Sequence, residues 1–143
     1  MTSELDDPRG TMSVRDATRA VSDHAQIGMA VLDVIEEDGL MQRAEALGER
    51  FMAGLRDLQS KHPIIGDVRG RGLFLGFEMV RDRDTLEAAA EEAQALVGEM
   101  RERGVLLSTD GPLHNVIKIK PPMVLNEADI DLTIDLLDEV LSN

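Results

Sequence analysis

Two short stretches of the sequence hold basic side chains at spacings that suit the binding of an anion. The first is NVIKIKPP, residues 115–122, in which Lys118 and Lys120 alternate with isoleucines before two prolines. The second is GDVRGRG, residues 66–72, in which Arg69 and Arg71 stand between glycines whose backbone amides could cradle a phosphate. Both stretches suggest the same function, the binding of a phosphate or a carboxylate.

Each stretch also has a purely structural interpretation, and pattern alone favours it. Period-two alternation places Ile117 and Ile119 on the core side of a strand, and lysines on the other side protect an edge strand from aggregation. GDVRGRG lacks the Walker and GxGxxG patterns and leads into a strand instead of a helix, so a tight turn is favoured over a phosphate loop. From pattern alone we predict a solvated edge strand and a tight turn.

The other reactive residue types form no recognisable active site. His24, His62 and His114 lie in separate segments without metal-ligand spacing, so we predict surface or capping roles for them. No serine lies in a GxSxG elbow, and the absence of cysteine excludes disulfides, thiolate metal sites and a cysteine nucleophile. We therefore predict no catalytic residue, no cofactor-binding residue and no metal ligand within these residues.

Composition and charge narrow the class of partner. The 143 residues carry 28 acidic and 15 basic side chains, a formal net charge of -13, and such a surface repels a nucleic acid backbone. No apolar run reaches membrane-spanning length, and the acidic N-terminus is unlike a signal or transit peptide. We expect a cytoplasmic protein that binds neither nucleic acid nor membrane.

Hydrophobic periodicity predicts the elements that position these residues. Residues 1–13 lack periodic apolar positions and are expected to be flexible. We then predict two helices, one ending at Gly39 and one from Leu40 to about Pro63. A bend at residues 70–72 leads into a strand over residues 73–80, and a third helix follows from Asp84 to Gly104. Short strands over residues 105–108 and 116–120 precede a last helix capped by Asn126. This order of elements predicts that residues 14–143 form one α+β domain. The domain is a small two-layer sandwich in which helices cover a three- to four-stranded, mainly antiparallel sheet.

Four segments of the sequence resemble a known family. They are GMAVLDVIEEDGL (28–40), ALGERFMAGLRDL (46–58), IIGDVRGRGLFLGFEMVRD (64–82) and GVLLSTDGPLHNVIKIKPPMVLNEADID (104–131). They are similar to the C-terminal portion of class III aminotransferases, which are fold type I pyridoxal-phosphate enzymes, over about residues 25–143. DGPLHNVIKIKPPM resembles the alanine-glyoxylate aminotransferase 2-like branch, which includes ethanolamine-phosphate phospho-lyase. The resemblance implies the α+β small domain of such an enzyme.

The resemblance also implies a function for Lys118. Many class III enzymes have the motif Arg-x-x-Pro-Pro, and its arginine binds the substrate carboxylate. Lys118 occupies the matching position here, as in the phospho-lyase-like branch. We therefore expect Lys118 to be substrate-binding, as a compact positive charge for a phosphate or carboxylate.

The groups that hold the cofactor in this family belong to a large domain that precedes the similar region. Those groups are the Schiff-base lysine, the aspartate under the pyridine nitrogen and the phosphate cup. The lysines of this sequence are Lys61, Lys118 and Lys120, and none of them matches the Schiff-base lysine. Where the family has a threonine that reaches the cofactor phosphate of the neighbouring subunit, residues 17–22 read ATRAVS. We expect pyridoxal phosphate in the complete family enzyme and no cofactor in the isolated chain.

Two functional hypotheses follow from the resemblance. In the first, the chain is a truncated or separately encoded C-terminal domain of a class III aminotransferase or phospho-lyase, inactive alone, that works with a large-domain partner. In the second, it is a non-catalytic interaction or regulatory module that kept the fold. Because the family packs one face of this domain on the large domain, we also expect a homo-oligomer in which residues 14–35 take part.

Overall fold

The computed structural model describes residues 14–143, and the prediction of a flexible segment over residues 1–13 lies outside that range. The chain divides after Gly39 into two units. In the first unit the predicted helix is present as α1 (Val14–Glu37). Several large apolar side chains of α1 are exposed, namely Val21, Ile27, Met29, Val31, Leu32 and Val34.

The second unit, from Leu40 to Asn143, has the α+β architecture expected from the sequence. Its elements are α2 (Leu40–Lys61), β1 (Ile65–Arg71), β2 (Phe74–Asp82), β3 (Glu87–Ala88), α3 (Ala90–Glu102), β4 (Ser108–Asp110), β5 (Val116–Ile119) and α4 (Glu127–Leu141). Each strand pair is antiparallel, in the order β1-β2-β5-β4, with β3 beside β2. The short strand β3 makes this a five-stranded sheet. Across residues 14–143, no helix combines the length and apolar character needed to cross a membrane.

The helices of the second unit pack on one face of the sheet, as a two-layer sandwich requires. Phe77 on β2 and Ile117 on β5 are fully buried on that face, and their neighbours two positions away, Leu75 and Ile119, are nearly so. The predicted alternation along both strands is therefore confirmed. These side chains belong to one core with a stripe of α2 residues spaced three and four apart, Leu47, Phe51, Leu55 and Leu58.

The prediction that the third helix begins at Asp84 is wrong, because a turn occupies that position. The carboxylate of Asp82 accepts hydrogen bonds from the backbone amides of Asp84 at 2.9 Å and Thr85 at 2.7 Å. A carboxylate that captures the amides two and three residues ahead closes a turn of its own. The chain then adds β3 to the sheet, and α3 begins only at Ala90.

The prediction that the lysines of NVIKIKPP lie on an edge strand is also wrong. β5 lies between two strands, and Lys118 pairs with Gly76 of β2 on one side and with Ser108 of β4 on the other. The edge strand on this side of the sheet is instead β4, which falls at Ser108–Asp110 and not at residues 105–108. Both neighbouring strands therefore fix the backbone position of Lys118. Protection of an edge strand does not explain why a lysine is present at this position.

Side chains fix the ends of two helices of the second unit. The predicted cap of α4 is confirmed, because Asn126 and Asp129 form a reciprocal capping box with hydrogen bonds of 3.0 and 3.1 Å. At the end of α2, the Arg83 guanidinium holds the chain that turns into β1. It donates hydrogen bonds to the backbone carbonyls of Gln59, His62, Pro63 and Ile65.

Ion pairs join α2 and the residue after it to α4. The carboxylate of Asp138 accepts hydrogen bonds from Lys61 Nζ at 2.7 Å and pairs with His62 Nε2 at 2.6 Å. Arg50 forms a two-pronged pair with Asp131, with bonds of 3.0 and 2.7 Å. The hydrogen bond from Lys61, followed by that from His62, holds the pKa of Asp138 below its ordinary value, and Arg50 does the same for Asp131.

These lowered pKa values predict a loss of stability in acid. As pH falls through the ordinary aspartate pKa of about 3.9, the unfolded chain takes up protons that the folded chain still excludes, so unfolding becomes favoured. The stabilisation is fully present above that value and disappears as pH falls through the lower folded pKa values. Urea midpoints measured from pH 6 to pH 3 should fall more steeply for the wild type than for Asp138→Asn. Asp135→Asn, three residues earlier on the same helix, is the matched control and should follow the wild type.

Candidate anion-binding site

The register of the sheet brings the two basic stretches of the sequence side by side. Arg69 on β1 pairs with Gly76 on β2, and Gly76 pairs with Lys118 on β5. Residues that pair directly across antiparallel strands point to the same face of the sheet. Arg69 and Lys118 therefore point away from Phe77 and Ile117, onto what we call the polar face.

Charges on the polar face are arranged in rows across the strands. One neighbouring row contains Asp67, Glu78, Val116 and Asp110, and is mainly acidic. The row on the other side, next to the turn between β1 and β2, contains Arg71 paired with Phe74. The basic row of Arg69 and Lys118 thus lies between an acidic row and a second arginine.

Gly76 puts no side chain in the middle of the basic row. A Cβ atom at this position would overlap the carbonyl oxygen of Ile117, so the close approach of β5 requires glycine. A cleft of about 460 Å³ lies over this part of the sheet, a volume in the range of small-molecule sites. Its lining includes Arg69, Arg71, Phe74, Gly76, Asp110 and Lys118.

Two of the three cations at the cleft already have acidic partners. Lys118 Nζ donates to Asp110 Oδ2 at 2.6 Å, and the backbone amide of Gly111 donates to Asp110 Oδ1 at 2.8 Å. Lys118 first, and then Gly111, hold the pKa of the Asp110 carboxyl below its ordinary value. Arg69 pairs with Asp67 and, at 3.1 Å, with Glu78, and these hydrogen bonds raise its pKa.

This arrangement is suited to binding an anion. An ammonium group has three N–H donors, and Lys118 uses one of them for Asp110, which leaves two for a ligand. The Lys118 side chain is 37% exposed, so those donors are accessible from the cleft. The carboxylate of Asp110, fixed by two hydrogen bonds, positions the ammonium group without covering it.

The two lysines of NVIKIKPP have different surroundings in the structure. Lys118 lines the cleft, whereas the Lys120 ammonium lies over the ring of Phe74, 5.7 Å from its centre. His24 and His114 are exposed, as predicted, but the side chain of His62 is only 12% exposed and pairs with Asp138. Within residues 14–143, no three metal-ligating side chains converge.

The prediction of a tight turn for GDVRGRG is correct only at its end, because residues 66–71 belong to strand β1 and the turn consists of Gly72 and Leu73. The arginines of this stretch line the cleft as well. Arg71 and Phe74 pair across a two-residue turn in which Gly72 has φ 53°, a left-handed conformation that favours glycine. Arg69 and Arg71 lie two positions apart on one strand, so period two puts both on the polar face. The structural and the anion-binding interpretations of this stretch are therefore compatible. The role of Asp110 was missed, because the sequence shows only a turn signal at that position.

Comparison with known proteins identifies the family. The sequence pattern of class III aminotransferases matches residues 23–141. The chain belongs to the class III aminotransferase family. It is 43% identical over 115 residues to ethanolamine-phosphate phospho-lyase homolog 1 of Caenorhabditis elegans, covering 80% of this chain and 25% of that protein. It is 41% identical over 115 residues to the mitochondrial alanine–glyoxylate aminotransferase 2 homolog 2 of Arabidopsis thaliana, covering 80% of this chain and 24% of that protein.

Solved structures show the same fold. A phospholyase from Arthrobacter in complex with phosphoethanolamine superposes with a TM-score of 0.75 at 34% identity, over 81% of this chain and 28% of that one. A Bacillus anthracis aminotransferase superposes with a TM-score of 0.74 at 27% identity, over 80% of this chain and 26% of that one. The chain thus spans about a quarter of the length of the relatives it matches.

The lysines of this chain do not fit the cofactor of the family, which is pyridoxal phosphate. Covalent attachment requires an amine that can lose its proton in an enclosed site. Lys61 and Lys118 are instead paired with the carboxylates of Asp138 and Asp110, and the pKa of Lys61 is raised by its hydrogen bond to Asp138. Lys120 is exposed beside Phe74. None of these three amines is placed to hold the cofactor.

Proposed function

We propose that residues 14–143 act as the C-terminal small domain of a class III aminotransferase or phospho-lyase and supply Lys118 for binding the anionic group of the substrate. The cofactor and its lysine are then contributed by a large domain that lies outside these residues. Residues 1–143 alone are expected to have neither aminotransferase nor phospho-lyase activity. The observation that carries the proposal is the position of Lys118, with two free donors, at a cleft of substrate size.

The residues of the cleft have separate tasks in this proposal. Lys118 binds the substrate anion and so fixes the orientation of the substrate. Asp110 holds the ammonium group at the edge of the cleft, and Gly76 leaves the space that the anion occupies. Positioning by a fixed charge contributes both to affinity and to the fraction of bound substrate in a reactive orientation.

The second candidate function, a self-associating interaction module, is favoured by one observation. Large apolar side chains of α1, including Ile27, Val31 and Val34, are at least half exposed. Apolar patches of this kind commonly mark an interface. Either a second copy of the chain or a large-domain partner would cover them, so a homo-oligomer remains part of this proposal.

An exchange of domains tests the role of Lys118. The region of the Arthrobacter phospholyase that corresponds to residues 40–143 would be replaced by those residues, and activity on phosphoethanolamine would be measured. We expect an active chimera in which Lys118→Ala raises KM about 10- to 100-fold, because a charge-assisted hydrogen bond contributes about 1.5–3 kcal/mol. Lys61→Ala, on α2 and away from the cleft, is the control and should change KM less than about twofold.

Two results would contradict the proposed function. One is a chimera that binds pyridoxal phosphate stoichiometrically and yet shows the same KM with and without Lys118. The other is a stoichiometric, reducible adduct of pyridoxal phosphate at a single lysine of residues 1–143, which would show that these residues hold the cofactor themselves.

A further inference from the structure

Arg71 is a cation at the cleft whose charge has no partner among residues 14–143. Its side chain forms no hydrogen bond or ion pair with other residues of the described part of the chain, whereas Arg69 and Lys118 both do. Glu45 and Glu49 on α2 border a neighbouring depression that Arg71 also lines, but neither lies within 4.0 Å of its guanidinium. All five N–H donors of Arg71 are therefore available to a ligand.

The register of the sheet places Arg71 within reach of the same ligand as Lys118. Arg71 is two residues along β1 from Arg69, and Arg69 is separated from Lys118 only by Gly76 of β2. With a strand spacing of about 4.8 Å and a rise of about 3.3 Å per residue, the Cα atoms of Arg71 and Lys118 lie about 12 Å apart. Two long side chains can close that distance over β2, where Gly76 has no side chain and Phe74 forms part of the wall of the cleft.

We propose that Arg71 and Lys118 together form a two-cation site that selects a phosphate monoester over a carboxylate. The inference rests on the function proposed above for Lys118 and adds a second residue and a substrate class to it. A phosphate monoester carries nearly two negative charges near neutral pH and three acceptor oxygens, so it can use both cations. A carboxylate carries one charge and is satisfied by Lys118 alone, so Arg71 adds little to its binding.

Titration of the isotope-labelled chain by NMR tests this selectivity, with two probes that share an amine and differ in the anion. The probes are phosphoethanolamine and β-alanine, both at low ionic strength. For the wild type we expect saturable shifts at cleft residues and affinity about tenfold higher for phosphoethanolamine, as one added charge-assisted contact provides. Arg71→Gln should remove that preference and leave the affinity for β-alanine within about twofold.

Three further variants separate this inference from the function on which it rests. Lys118→Gln should weaken both probes, Arg71→Lys should keep part of the preference, and Arg101→Gln, on α3, should change neither. If Lys118→Gln weakens both probes and Arg71→Gln weakens neither, the two-cation site is overturned and the role of Lys118 stands. If Arg71→Gln alone has an effect, the role of Lys118 fails. Absence of saturable shifts at the cleft in the folded wild type overturns the two-cation site.

Discussion

Replacing Phe77 with alanine is expected to lower the free energy of unfolding by about 3–5 kcal/mol, the usual cost of removing a buried phenyl ring. Phe77 is fully buried and pairs directly with Ile117, so its loss opens a cavity beneath the floor of the cleft. Chemical denaturation followed by circular dichroism measures the change. Because the pair of β2 and β5 carries Lys118, binding of anions should weaken as well.

Phe74→Ala is the matched control for that experiment. Phe74 lies on the same strand three residues earlier but on the polar face, where it is 62% exposed. Its truncation removes little buried area and should cost less than about 1 kcal/mol. Equal losses of stability for the two variants would show that the core does not lie on the Phe77 side of the sheet.

Replacing Gly48 with alanine is expected to cost about 3 kcal/mol, although alanine is ordinarily the better residue in a helix. A Cβ atom at Gly48 would lie 2.7 Å from the Cα of Gly72, in the turn between β1 and β2. The added methyl group must therefore push that turn away from α2. Arg71 immediately precedes Gly72, so we expect this variant also to lose the preference for phosphoethanolamine over β-alanine.

Gly98→Ala is expected to stabilise the protein, whereas the same glycine-to-alanine change at Gly48 destabilises it. Gly98 lies in α3, and no atom outside its immediate backbone surroundings lies within 4 Å of the position of its Cβ. Alanine there should stabilise the protein by about 0.5–1 kcal/mol, because the unfolded chain loses flexibility. Urea denaturation of both variants checks the pair, and a stabilising Gly48→Ala would mean that the turn does not touch α2.

The sequence was sufficient to predict the layers of this fold and insufficient to predict the order of its strands. The alternation of Ile117 and Ile119 identified the core side of β5, because period two depends only on neighbouring residues. Its place between β2 and β4 depends on pairing with Gly76 and Ser108, which are distant in the chain. The turn at Asp82 was missed for a related reason, since two hydrogen bonds to one side chain decided between a helix start and a turn.

The candidate site was predictable only in part. The resemblance to a family predicted a substrate-binding role for Lys118, while pattern alone favoured a solvated strand. That Arg71 lies at the same cleft as Lys118 follows from the register of three strands, which the sequence does not state. The pairing of Lys118 with Asp110 likewise depends on β4 lying beside β5. Individual charges were visible in the sequence, but their grouping was not.

The order of the strands also has a consequence for the timing of folding. β1 and β2 form a hairpin from adjacent residues and can pair early, and Arg83 ties that hairpin to the end of α2. β5 pairs with β2 across the intervening α3 and β4 of the chain, and such long-range pairings are the slow steps of folding. During synthesis the arginine side of the cleft therefore exists before its lysine side. We expect the ability to hold an anion between Arg71 and Lys118 to arise only at the last stage of assembly.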